Sequence, residues 1–149
     1  MDINNGFNSA LYGICENLRR TIEFIPEKAK GRVEEIRIRK NLPVCLTVSG
    51  KTLFVLRDGT VCDYLSGDVL KASGSDLKET FMLLCRNSVY AHTSELKNGY
   101  IRMRNGHRAG ICGSFDENGN LREVTSINIR ISHEIMGSAD SIIKKYTGA

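Results

Sequence analysis

Between Asn98 and Ser132 apolar and polar residues alternate with a period of two, the spacing that sends successive side chains to opposite faces of a β-strand. Ile101 and Met103 fall on one side, Arg102 and Arg104 on the other. Asn105-Gly106 follows at once. That dipeptide is the strongest short hairpin signal, because a type I′ turn needs positive φ at both central residues. Ala109, Ile111, Gly113 and Phe115 mark one face of a second strand, with Arg108 opposite. Asp116-Glu117-Asn118-Gly119 makes a second turn, rich in residues that tolerate left-handed backbone. Ile127, Ile129 and Ile131 alternate with Asn128 and Arg130 in a third strand. The pattern predicts a three-stranded antiparallel meander. One face packs on a core; the other is wet and cationic.

Earlier in the chain the period changes. Leu11, Ile14, Leu18 and Ile22 recur at helical spacing. They predict one helix capped at Asn8 or Ser9 and ended by Ile25-Pro26, since the residue before proline is pushed out of the α region. Pro26 begins a short helical turn that Gly31 closes. Ile36-Arg37-Ile38-Arg39 is a strand with isoleucine inward. Leu42 to Val48, Thr52 to Leu56 and Val61 to Tyr64 follow as further strands, and Ser66 to Ser75 as a polar linker. A second helix is expected from Asp76, with Glu79 completing an acidic capping box and Leu77, Phe81 and Leu84 as its buried stripe. That stripe should cover the isoleucine face of the meander. His92 to Lys97 adds one more helical turn. Ser138 caps a last helix in which Ala139, Ile142, Ile143 and Tyr146 share a face. Helices interleaved with hairpin-forming strands define an α+β fold with mainly antiparallel sheet. Residues 1–136 form the domain, and residues 137–149 begin a connection onward.

Composition adds few constraints. The chain has 149 residues, 26% of them charged, with a net charge of +4. That is basic enough for anionic partners but short of the balance that argues nucleic acid by itself. No run of ~18 apolar residues suggests a membrane span. The five cysteines are odd in number and lack any CxxC pair, which fits reduced thiols in a cytoplasmic protein.

Candidate chemistry is sparse. Ser49-Gly50-Lys51-Thr52 contains the end of a phosphate-binding loop, but Cys45 stands where that motif needs its first glycine. The strand-like Leu53-Phe54-Val55-Leu56 follows where a helix is required. A hairpin turn is the better reading, and no nucleotide site is assigned there. His92, His107 and His133 form no metal spacing, and no carboxylate pair or serine elbow marks a catalytic centre. The remaining signal is arginine. Arg37, Arg39, Arg102, Arg104, Arg108, Arg122 and Arg130 all fall in or beside predicted strands. Their planar forks suit phosphate and carboxylate. The competing readings are the solvated face of a one-sided sheet and a protein–protein interface. A nucleic-acid surface is disfavoured, because Tyr100 alone offers a stacking ring on that face.

Five blocks carry a resemblance. They are Glu35-Ile36-Arg37-Ile38-Arg39 with Pro43-Val44; Ser88-Val89-Tyr90-Ala91; Glu95 to Ile101; Gly106 to Gly113; and Ser126 to Ile131. Together, and in this order, the chain resembles the stage III sporulation protein AA family across roughly residues 32 to 147. That family is similar to the ATPases of type II and type IV secretion and of pilus motors. The resemblance implies an N-terminal α+β domain followed by a RecA-like ATPase, in a hexamer that energises a channel from mother cell to forespore. The chain stops at Ala149, where the ATP-binding strand and loop are expected next. It therefore reads as a non-catalytic assembly and coupling domain with no cofactor of its own. The full-length protein would bind ATP and magnesium and sit in the cytoplasm, peripheral to a membrane. Implied partners are its own ATPase domain, neighbouring subunits and the channel's membrane components. Arg102, Arg108 and Arg130 are the candidates for contact with a neighbouring subunit or its nucleotide. The alternative is a stand-alone nucleic-acid-binding domain using the arginine face.

Overall fold

Two helices, not one, open the chain. The computed structural model describes residues 5–86, 89–118 and 120–133; the expected C-terminal helix over Ala139 to Tyr146 and the boundary at 136 lie outside them. Helix α1 spans Asn5–Leu11 and α2 spans Glu16–Ile22. All four residues of the predicted stripe are buried, so the face was right and the continuity wrong. The break falls at Gly13. A Cβ there would lie 2.6 Å from Met103 Cε and 2.9 Å from Leu84 Cδ2. Only a bare backbone lets those side chains close over the turn. The Cys15 N–H, freed by the break, donates to Thr80 Oγ1 at 3.1 Å, which satisfies a buried donor that would otherwise cost free energy. Helix α3, Glu27–Lys30, starts after Pro26 and is capped by Gly31 as expected.

Seven strands form one antiparallel sheet in the order β4-β3-β2-β1-β7-β6-β5. Their spans are β1 Val33–Arg39, β2 Cys45–Val48, β3 Lys51–Val55, β4 Val61–Cys62, β5 Tyr100–Arg102, β6 Arg108–Phe115 and β7 Leu121–Arg130. The β1–β7 pairing fuses two meanders into one sheet. Ile36 lies opposite Ile129 and Ile38 opposite Ile127, and all four are fully buried.

Helix α4, Gly74–Leu84, covers this apolar face, packing on β7 with Leu77, Phe81 and Leu84 buried as predicted. Its start differs from expectation. Ser73 is the cap, and Asp76 is its reciprocal partner: Asp76 N–H donates to Ser73 Oγ at 3.1 Å, and Ser73 N–H to Asp76 Oδ2 at 2.9 Å. Such caps contribute about 1 kcal/mol. Glu79 is exposed and plays no part in it. The polar linker is also tighter than composition suggested. Val69 and Ala72 are buried, and Leu70 exchanges backbone hydrogen bonds with Val44 and Val55 at 2.8 Å each. A 3-10 turn at Val89–His92 and helix α5, Thr93–Lys97, lead into β5.

The meander keeps its predicted order with two corrections. Strand β5 ends at Arg102, and Arg104–Gly106 forms a 3-10 turn. Asn105 and Gly106 both take positive φ there, 64° and 84°, as the Asn-Gly signal required. Further on, the β6–β7 register shifts at Cys112/Gly113 and again at Ser114/Phe115. Phe115, at the end of β6, stands 50% exposed. Gly113 permits the first shift, since a Cβ there would meet the Glu123 carbonyl oxygen at 1.9 Å.

Candidate interaction face

Helices cover one face of the sheet; the described residues leave the other uncovered. On that open face the register aligns three arginines. Arg102 lies directly opposite Arg108, and Arg108 directly opposite Arg130. All three are exposed. The structure therefore brings together in one row, across β5, β6 and β7, the three site residues expected from sequence. Neighbouring strands lie about 5 Å apart, so the three arginine side chains leave the sheet from adjacent positions.

Each is held differently. Arg108 sits over the Tyr100 ring, 4.6 Å from its centroid, a cation–π contact that fixes its direction. Arg102 lies beside Glu95, whose Oε2 accepts the Arg102 backbone N–H at 2.9 Å. That bond first, and then His92, hold the Glu95 carboxyl below its ordinary value. Arg130 has no hydrogen bond or ion pair from its side chain among the described residues. Its other cross-strand neighbour is Glu35. Glu35 Oε1 instead receives Arg37 at 3.2 Å and the Thr47 hydroxyl at 3.5 Å. Arg37 also donates to Asn128 Oδ1 at 3.2 Å. The face is thus a polar network with its uncompensated charge at the β5–β7 end.

The other sequence candidates scatter. Arg39 is half-buried beside Cys45, and its Nε is buried without a partner. Arg104 leaves the strand for the 3-10 turn, and Arg122 stands beside a groove against α4 with Lys78. Neither joins the row. Ser49-Gly50 is the β2–β3 hairpin turn, with φ of 50° and 80° and Val48 opposite Lys51. Strand β3 begins at Lys51, so these residues do not fit a phosphate-binding loop.

His107 is buried, which no local pattern announced. Its Nδ1 accepts the Ser132 N–H at 2.9 Å, so its Nε2 carries the hydrogen and donates to Ser9 Oγ at 2.7 Å. Ser9 passes its own hydrogen to the Gly6 carbonyl at 3.1 Å. The neutral ring thus ties α1 to the end of β7. Burial, and next the proximity of His133, push its pKa down. His92 instead pairs with Glu95 at 2.8 Å, and His133 Nε2 donates to the Val33 carbonyl at 2.5 Å.

Cys15, Asp76 and Glu79 place possible metal donors within 4.8 Å of one another. Asp76, however, already accepts from Ser73 and from Asn17 Nδ2 at 2.9 Å. Burial raises the Cys15 thiol's pKa, disfavouring the thiolate a metal needs. Of the three, Asp76 serves the cap of α4. Burial likewise lifts Cys85 to about 11.

Fold and face together define a class: an antiparallel α+β module with one side sealed by helices and the other presenting an arginine ladder. Residues 10–148 match the family described as Sporulation stage III, protein AA, and the chain belongs to that family. It is 33% identical over 132 residues to the stage III sporulation protein AA of Bacillus subtilis (strain 168). That alignment takes in 86% of this chain and 39% of the relative, so the chain spans well under half the relative's length. No solved structure matches it significantly. No helix among the described residues is long and apolar enough to cross a membrane.

Proposed function

We propose that this chain is the N-terminal assembly and coupling module of a secretion-type sporulation ATPase, non-catalytic by itself. In this reading the longer family protein forms a hexamer, binds ATP and magnesium in a C-terminal domain, and works in the cytoplasm beside a membrane channel. The arginine ladder faces a neighbouring subunit, where its guanidinium groups help neutralise nucleotide phosphates, as an arginine finger does. The observation that carries the reading is the register alignment of Arg102, Arg108 and Arg130 on an open face. Like charges directly opposite one another disfavour the fold, so an anionic partner accounts for them better than solvent does. Arg108 leads, because its stacking on Tyr100 preorganises it.

The test is Arg108→Ala in the full-length, hexamer-competent protein. Loss of a finger lowers ATP turnover by ~10³-fold or more with melting and assembly unchanged. Near-normal turnover removes Arg108 from the mechanism; lost turnover with early melting makes it structural. The same arginine–tyrosine pair supports one other reading, a nucleic-acid surface. Micromolar binding whose log K falls linearly with log salt would favour it instead.

A further inference from the structure

The two edges of the sheet differ in charge, and each exposes apolar side chains beside that charge. Beyond β5, a groove of about 460 Å³ opens between the end of α1, the last turn of α4 and the 3-10 turn at Arg104–Gly106. Leu84 and Met103 line it, brought together over the bare backbone of Gly13. Tyr12, 75% exposed, and Leu83, 41% exposed, stand at its lip. Its rim is cationic, with Arg86, Arg102 and Arg104. Glu95 is the acid beside Arg102. Arg86 and Arg104 have no ion pair among the described residues.

At the opposite edge, the loop after β4 reads Asp63-Tyr64-Leu65-Ser66-Gly67-Asp68. Tyr64 and Leu65 are 65% and 68% exposed. A lone exposed apolar residue is ordinary; two large adjacent ones between aspartates form a compact apolar tip with an acidic border. The loop is held in shape. Cys62 Sγ contacts the Tyr64 carbonyl at 3.0 Å, the Asp68 N–H donates to Ser66 Oγ at 3.1 Å, and the Arg57 N–H donates to the Asp68 carbonyl at 2.9 Å. A preordered loop loses less entropy on docking.

We propose that the groove beyond β5 receives the Asp63–Asp68 loop of a second copy of this chain, in a head-to-tail contact. The charges complement each other. Arg86, Arg102 and Arg104 less Glu95 leave +2 at the groove; Asp63 and Asp68 less Arg57, which pairs with Asp68 at 3.3 Å, leave −1 at the loop. Tyr64 and Leu65 supply the apolar anchors for the Leu84–Met103 floor. The two surfaces lie at opposite edges of one seven-stranded sheet, so a chain cannot satisfy its own groove. Such a heterologous contact leaves a free groove at one end and a free loop at the other, and propagates to a ring or filament. It goes beyond the nucleotide reading and does not depend on it; the variants below leave Arg102, Arg108 and Arg130 intact.

Sedimentation velocity on the 149-residue chain tests the contact. The mass should grow with concentration beyond two chains and shrink with added salt. A groove variant, Arg86→Glu with Arg104→Glu, and a loop variant, Tyr64→Ser with Leu65→Ser, should each associate at least ~10-fold more weakly with melting unchanged. Mixed in equal amounts, they retain one intact groove and one intact loop, so they should form a dimer and stop there. If the charge-reversed variant melts early, Arg86→Ser with Arg104→Ser replaces it. A wild-type chain that stays monomeric to millimolar concentration overturns the proposal. So does either folded variant associating like wild type, or a mixture that stays monomeric.

Discussion

The same strands make two unlike faces. On one, Ala109, Ile127, Ile129, Ile36 and Ile38 lie buried under α1, α2 and α4. On the other, one residue along, Arg102, Arg108 and Arg130 line up in the open. The first face is finished: its cross-strand pairs are apolar, and helices complete its burial. The second is not. Three like charges stand side by side where any neutral polar residue would suit an isolated sheet better. Packing explains the first face; it does not explain the second. The faces should therefore respond oppositely to truncation, the first losing stability and the second losing none.

The largest effect belongs to the buried side. Phe81 closes α4 onto the isoleucine face. Phe81→Ala should cost about 3–5 kcal/mol in urea unfolding, a large share of a typical domain's stability. A loss below about 1 kcal/mol would show that α4 does not seal that face.

Much of this division was legible in the chain. Isoleucine alternating with arginine specifies both faces of β1 and β7 at once, and Asn105-Gly106 places the turn between β5 and β6. What escaped depends on contacts distant in sequence. The spacing Leu11-Ile14-Leu18-Ile22 runs straight through Gly13, so periodicity cannot see the break; the cause is Met103 and Leu84 closing on that backbone. Phe115 keeps the core phase of Ile111 along β6, but it stands at the strand's end and is exposed. The arginine row was nameable as residues but not as a row. Its alignment comes from interstrand register, which only pairing across the folded sheet reveals. The basic groove was missed because Arg86, at a helix end with φ of 51°, belongs to no strand pattern, and Arg104 leaves its predicted one.

A smaller effect tests the seam between α1 and the meander. His107 is neutral, accepting from Ser132 and donating to Ser9, and its pKa lies below the ordinary 6.5. Protonation must place a hydrogen on Nδ1 and break the bond from Ser132. With the folded pKa depressed, the unfolded chain takes up its proton first as pH falls. The contribution is thus complete above about pH 6.5 and declines through the window below it, until the folded pKa is passed. Thermal melts from pH 8 to 5 should show this decline, and His107→Gln, already destabilised at pH 8, should flatten it. An equally steep decline in the variant would assign the acid sensitivity to other groups.

The smallest effect has the opposite sign, and it bears most directly on the open face. Arg130 lies beside Arg108 with no side-chain partner among the described residues, while its other neighbour, Glu35, is engaged by Arg37. Arg130→Thr keeps a good strand former and removes one like-charge pair. It should leave the isolated chain unchanged or more stable, by about 0.2–1 kcal/mol. The gain should fade as salt rises from about 0.01 to 1 M, since exposed charges are then screened within a few ångströms. Arg108 is a poorer choice for this measurement, because removing it also loses the contact with Tyr100. Urea unfolding of Arg130→Thr at two salt concentrations decides the matter. Destabilisation above about 1 kcal/mol would mean that Arg130 holds the sheet together and that the open face is structural. A salt-sensitive gain would mean that the folded chain carries Arg130 at a cost, leaving its use to a partner.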